Sequence, residues 1–165
     1  MGKHHAAGMV ESSQLGTGIA RLAIMMQTPR KQALEGLRIL AVEDHPDLRD
    51  LLTVLLEQQG AEVIGCESAC EAFDVLVSGE SLDAAVFDIS MPEEDGLTLL
   101  GRWRAWEARR TEARDARRLP VIALTAHVTQ EMERLCRAAG FDHYLPKPVS
   151  PTALFKALRH LATLH

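Results

Sequence analysis

At 165 residues the chain has the length of one domain, and its 47% hydrophobic content is enough to bury one sizeable core. A formal net charge of -5 with 25% charged residues argues against nonspecific nucleic-acid binding, which needs a basic surface. No stretch approaches the roughly 20 apolar residues of a membrane span, and Lys3 is followed by His4, His5 and Gly8 rather than by an apolar signal core. The expected location is therefore the cytoplasm, with no membrane partner. Cys66, Cys70 and Cys136, odd in number and irregularly spaced, fit free thiols in a reducing compartment. Cys66 and Cys70 could share a helical face, but no second Cys or His pair completes a metal site.

Residues 1-36 read as a flexible leader or linker, punctuated by Gly2, Gly8, Gly16 and Gly18 and rich in Ser, His and Gln. A short helix over Ile19 to Gln27 fits there, limited by Pro29. From Leu37 to residue 165 the pattern is that of a single domain. "RILAVED" is an apolar strand running into Glu43 and Asp44. A helix follows, opened by Pro46 and closed by Gly60, with Leu48, Leu51, Leu52, Leu55 and Leu56 at helical spacing. "AEVIGC" is a second strand, and Ser68 with Glu71 forms a capping box ahead of a second helix.

"DAAVFD" is the third strand. The third helix spans Gly96 to Trp106, with Leu99, Trp103 and Trp106 on one side. The connection after it, "EARRTEARDARR", is long and carries Arg109, Arg110, Arg114, Arg117 and Arg118. An extended, solvated helix end with Glu and Asp partners accounts for it; an anion-binding or docking patch is the alternative. "PVIALT" is the fourth strand. Thr129 caps a helix bearing Met132, Leu135, Cys136 and Ala139, and Gly140 ends it. "DHYLPK" is the fifth strand, and Ser150-Pro151 opens a last helix that buries Leu154, Leu158 and Leu161. Five short apolar strands alternating with five helices predict an α/β fold, a doubly wound parallel sheet covered on both faces.

In such a sheet all carboxyl ends lie at one edge, where ligands bind. Glu43, Asp44, Asp88, Thr125 and Lys147 end four of the strands. Three carboxylates and one ammonium thus share a crevice. Two carboxylates about 4 Å apart repel by roughly 4 kcal/mol at an effective dielectric near 20. A divalent cation resolves the conflict, and Mg²⁺ prefers carboxylate and carbonyl oxygens completed by water or phosphate. The bland alternative is one Asp–Lys pair with solvated neighbours.

"AVEDHPDLRDLL", "AAVFDISMPEEDGL", "PVIALTAH" and "GFDHYLPKPV" resemble the receiver domain of two-component response regulators and hybrid histidine kinases. The four motifs occur in order at strand ends from about Leu37 to the C-terminus. The resemblance implies a flavodoxin-like (βα)5 fold with strand order 2-1-3-4-5. It implies that Asp88 accepts a phosphoryl group from a histidine kinase or histidine phosphotransfer domain. Mg²⁺ would be held by Glu43, Asp44, Asp88 and the backbone carbonyl of Ser90. Thr125 would donate to a phosphoryl oxygen, Lys147 would pair with the acceptor carboxylate, and Lys147-Pro148 would be cis. Tyr144 would change rotamer as Thr125 moves, altering the surface of the fourth helix, fifth strand and fifth helix; a plain strand residue with a surface hydroxyl is the alternative. Ser90 and His127, each two positions past a site residue, would tune the lifetime of the phosphoryl group, with a solvated loop residue as the alternative for His127.

The implied function is phosphorelay signalling, not turnover of a substrate, with self-catalysed phosphotransfer and dephosphorylation only. The downstream target is unspecified, and a phosphorylation-dependent dimer is left open. The chain reads either as a single-domain regulator or as the receiver of a hybrid kinase. "LGTGIARLAI" faintly resembles a kinase glycine box. A haloacid dehalogenase-type phosphatase would want a second Asp where Ser90 stands, and a pseudo-receiver that only docks would lack an acidic or Lys position.

Overall fold

The computed structural model of the chain describes residues 32–110, 118–127 and 129–163, the side chain of Arg110 excepted. The expected helix over 19–27, the glycine-box resemblance, Arg114 and Arg117 lie outside the described residues.

Five strands, β1 (Arg38–Val42), β2 (Glu62–Cys66), β3 (Ala84–Asp88), β4 (Val121–Thr125) and β5 (His143–Pro146), form one sheet in the order β2-β1-β3-β4-β5. Every neighbouring pair is parallel. Between them run α1 (Pro46–Glu57), α2 (Ala69–Val77), α3 (Gly96–Arg110), α4 (Gln130–Ala139) and α5 (Pro151–Thr163). This is the doubly wound α/β sandwich that the alternating pattern predicts, in the flavodoxin-like (βα)5 form that the receiver resemblance implies.

The period of two along each strand sorts the core into two layers. Leu40, Val42, Ala85, Phe87, Val121 and Ala123 face α2, α3 and α4, where they meet Leu76, Leu99 and Cys136. Ile39, Ala41, Val86, Ile122 and Leu124 face α1 and α5, where they meet Leu52, Leu56, Leu154 and Leu158. Burying each large side chain contributes roughly 1.5–3 kcal/mol. Leu34 is also fully buried in the second layer. Its N–H donates to Gln59 O at 2.9 Å, and Gly36 N–H donates to Gly60 O at 3.1 Å. The packed chain thus reaches back to residues 32–36, within the stretch predicted as leader.

The caps follow local chemistry. Ser68 Oγ accepts from Glu71 N–H at 3.2 Å, but the Glu71 carboxylate reaches back to Glu67 N–H, one residue before the usual capping-box donor. Thr129 Oγ1 accepts from Met132 N–H at 3.1 Å. Gly140 ends α4 with φ 97°, a left-handed conformation that disfavours any side chain.

Helix α3 continues four residues past Trp106, and Glu and Asp partners hold this extended end. Arg104 pairs with Glu107 and donates to Leu119 O at 2.8 Å and Gly140 O at 3.1 Å. Glu107 accepts from Leu119 N–H, and Asp142 bonds both Arg104 and Arg118. These bonds fasten α3 to the start of β4 and the end of α4. Leu48, Leu51 and Leu135 are exposed despite their helical spacing with buried neighbours. The apolar stripe on α1 is wider than the face that meets the sheet.

Candidate functional site

The parallel register puts Val42 opposite Phe87 and Asp88 opposite Leu124. Glu43, Asp88 and Thr125 therefore emerge together at the carboxyl edge, with exposures of 2%, 3% and 0%. Lys147 follows directly on β5, and its N–H donates to Thr125 O at 2.8 Å. The Lys147-Pro148 peptide is cis.

The acidic groups form a bonded chain. His45 N–H donates to Glu43 Oε1 at 3.2 Å, and Lys147 Nζ donates to Glu43 Oε2 at 2.7 Å. The same Nζ lies 3.0 Å from Asp88 Oδ2, and Ser90 N–H donates to Asp88 Oδ1 at 3.2 Å. Lys147 thus bridges two carboxylates, and the shorter contact goes to Glu43 rather than to Asp88. Burial, the largest single influence, pulls the Lys147 ammonium down; the bonds to Glu43 and Asp88 together outweigh it, and its pKa is raised.

One oxygen each of Glu43, Asp44 and Asp88 lies within 4.8 Å of the others. Among the described residues no other group of three or more His, Cys, Asp or Glu side chains is so placed. The donors are hard oxygens, and a single ammonium faces three anions. That charge excess and donor set fit a hard divalent cation such as Mg²⁺.

The loop after β3 explains why Gly96 stands at its position. A Cβ there would lie 2.3 Å from Asp88 O and 3.1 Å from Asp88 C. The start of α3 is thus laid directly on the peptide of Asp88. Asp95 caps that helix, accepting from Thr98 N–H at 2.7 Å, and Gly96 N–H donates to Ile89 O. Ser90 is exposed at the mouth of the crevice, and Glu93 carries the loop around with φ 65°.

Thr125 exchanges bonds with the loop that follows it. Its Oγ1 accepts from His127 N–H at 3.1 Å and lies 3.3 Å from His127 O. The His127 residue is exposed. Tyr144 is half-buried and packs, as Met132 and Ala139 of α4 do, against the core layer on that face of the sheet. A hydrogen bond with Glu133 is the largest of the influences that raise the pKa of its hydroxyl.

Two features escaped the sequence reading. Arg49 on α1 donates to Glu43 O at 2.9 Å and Asp44 O at 3.4 Å. An apolar groove of about 460 Å³ opens beside Glu43 and Lys147, lined by Leu48, Leu51, Leu55, Val149 and Leu154. A lone Arg and a broad leucine stripe carry no motif; only the end of α1 abutting an acidic pair could have drawn attention to them.

A doubly wound sheet with an acidic trio and a lysine at its carboxyl edge is the arrangement that the resemblance to a receiver domain implies. Residues 39–159 match the response regulator receiver domain family, and the chain belongs to it. It is 40% identical over 128 residues to the "uncharacterized 14.6 kDa protein in sodA1 3′ region" of Leptolyngbya boryana, covering 78% of this chain and 92% of that protein. It is 38% identical over 117 residues to the sensor protein GacS of Pseudomonas syringae, covering 71% of this chain but only 12% of GacS. The receiver domain of sensor histidine kinase PA1611 from Pseudomonas aeruginosa is 29% identical with a TM-score of 0.66, covering 78% of this chain and 98% of that one. That structure has a magnesium ion coordinated in its active-site cleft. The chain is a receiver domain of two-component phosphorelay signalling, and among its described residues no helix is long and apolar enough to cross a membrane.

Proposed function

We propose that this receiver accepts a phosphoryl group on Asp88 from a phosphohistidine of a kinase or phosphotransfer partner, assisted by Mg²⁺. The carrying observation is the trio Glu43, Asp44 and Asp88 gathered within 4.8 Å around one ammonium. An Asp88 carboxylate oxygen attacks phosphorus, the phosphorus–nitrogen bond of the donor breaks, and the imidazole, protonated on its other ring nitrogen, leaves neutral with the electron pair. Glu43, Asp44, Asp88 and the Ser90 carbonyl would hold the cation, which would supply positive charge to the phosphoryl oxygens. Lys147 transfers its bond from the carboxylate to the phosphoryl group. Thr125 turns its hydroxyl from His127 toward a phosphoryl oxygen, drawing the loop inward. The vacated space admits Tyr144, and the surface of α4, β5 and α5 changes.

A donor bringing its histidine to Asp88 must cover the adjoining rim, where Leu48 and Leu51 stand 44% and 55% exposed. Their exposure supports a partner with an apolar docking face. Ser90 and His127 flank the acceptor and set water access; His127→Ala changes the decay rate of the phosphorylated protein without preventing its formation, and identical decay rates refute that role. No substrate is turned over, the output does not involve direct nucleic-acid contact, and the domain acts in the cytoplasm behind a leader. Dimer formation on phosphorylation is testable by light scattering.

The likeness to a segment of GacS supports a second version, in which this receiver works within a hybrid kinase. The chemistry is the same in both. A haloacid dehalogenase-type phosphatase is disfavoured by Ser90, which supplies no second carboxylate. Acetyl phosphate or beryllofluoride with Mg²⁺ tests the proposal. Modification of the unaltered protein and none of Asp88→Asn is expected; equal behaviour of the two overturns it.

A further inference from the structure

Resting on the metal-binding reading above, we infer that Arg49 is a positioning residue for the cation site, because its guanidinium and backbone together hold three consecutive carbonyls of the loop that carries Glu43 and Asp44. Its Nη1 donates to Glu43 O at 2.9 Å and to Asp44 O at 3.4 Å. Its own backbone N–H donates to His45 O at 2.9 Å. On its other side Nη2 lies 3.7 Å from Glu67 Oε2, and its stem lies over Gly65, with Cγ 3.6 Å from where a Cβ would stand. The guanidinium is thus wedged between the end of β1 and the end of β2.

The consequence falls on Asp44. Glu43 has its carboxylate held by His45 N–H and Lys147, and Asp88 has its own held by Ser90 N–H and Lys147. The Asp44 carboxylate has no such bond among the described residues, so its direction depends on its backbone. The Glu43 carbonyl belongs to the peptide plane before the Asp44 Cα, and the Asp44 carbonyl to the plane after it. Fixing both planes fixes the Cα–Cβ direction between them. A fork-shaped donor can hold two carbonyls at once; an ammonium offers one compact point.

The charge of Arg49 makes the test sharp. A guanidinium beside a cation site repels the cation, so its charge alone predicts tighter Mg²⁺ binding on removal. Positioning predicts the opposite. Groups that orient metal ligands typically contribute about 10–100-fold in affinity. The experiment titrates Mg²⁺ alone into the unaltered chain, Arg49→Gln and Arg49→Lys, followed by amide chemical shifts and by heat of binding, with circular dichroism as the check on folding. Arg49→Gln is expected to weaken Mg²⁺ roughly tenfold, and Arg49→Lys less, while the rate of acetyl phosphate labelling at saturating Mg²⁺ returns to that of the unaltered chain. If Arg49→Gln does not fold, Arg49→Lys decides. Unchanged or tighter Mg²⁺ binding in the folded variants overturns the inference and leaves the proposed function standing. An unaltered chain that binds no Mg²⁺ overturns both.

Discussion

Replacing Lys147 by Met isolates the electrostatics of the crevice. Its Nζ stands 2.7 Å from Glu43 and 3.0 Å from Asp88, both nearly inaccessible to water. Each contact is worth about 6 kcal/mol at an effective dielectric near 20, before the cost of desolvating the ammonium is subtracted. Removing one partner of a buried pair typically costs about 3–5 kcal/mol, because the remaining charge is left uncompensated. At about 3 °C per kcal/mol for a domain of this size, the melting temperature in EDTA falls by roughly 10 °C. Mg²⁺ changes the outcome, since Lys147 no longer competes for the same oxygens. A cation at 100 times its dissociation constant returns about 2.7 kcal/mol. Thermal unfolding followed by circular dichroism, with EDTA and then with Mg²⁺, reads both effects. Glu43→Gln added to Lys147→Met should recover part of the loss in EDTA, because one stranded anion is gone. A deficit of equal size in EDTA and Mg²⁺, or none in EDTA, would refute the idea that these carboxylates form one electrostatic unit.

Gly96→Ala places a Cβ 2.3 Å from the Asp88 carbonyl, and the backbone must move; a loss of about 1–3 kcal/mol with slower acetyl phosphate labelling is expected, and denaturant melts unchanged from the parent would contradict it. Cys70 is exposed whereas Cys66 and Cys136 are buried, and burial pushes the Cys66 thiol up to about 12; an aromatic disulfide should label Cys70 first, and equally fast labelling of Cys66 would contradict that. Lys147 and Cys66 both have folded pKa values above their ordinary 10.5 and 9.0. Their contribution to stability is therefore complete below the unfolded values and lost as pH rises through the folded ones, so urea midpoints should fall above pH 9.0 toward about 12; a flat profile there would remove the linkage.

The positions of Glu43, Asp88, Thr125 and Lys147 were legible because each follows a short apolar run, and parallel strands deliver their ends to one edge. The caps at Ser68 and Thr129 were legible for the same local reason. Side-chain reach was not. Whether Lys147 lies nearer to Glu43 or Asp88 depends on the relative heights of strand ends that are 104 and 59 positions away in the chain. The Arg104 contacts to Leu119, Gly140 and Asp142 likewise join residues with no shared periodicity. The exposure of Leu48 and Leu51 was not legible either, because helical spacing marks an apolar stripe but not how much of it the sheet covers. The leader boundary fell a few residues late because the turn at 32–36 buries a single leucine, too little to make a pattern.

The two ends of α4 are held very differently, and this bears on how a signal could leave the crevice. At the far end Arg104 and Arg118 both donate to the carbonyl of Gly140, and both bond Asp142. That end is fastened to α3 and to the start of β5 by charge-assisted bonds, burial of which pulls the Arg104 guanidinium below its ordinary value. At the near end the links among the described residues are neutral: the Thr129 cap, and the exchange between the Thr125 hydroxyl and the His127 backbone. Tyr144 leans on the middle of the helix through Glu133, which is itself paired with Arg137 one turn on. In the proposed switch the Thr125 hydroxyl gives up its bonds to His127. The weakest restraint on α4 is then the one closest to Asp88, while the strongest lies at the opposite edge of the sheet. Motion would begin at the near end, reach Tyr144 next, and stop where Arg104 and Arg118 hold the helix.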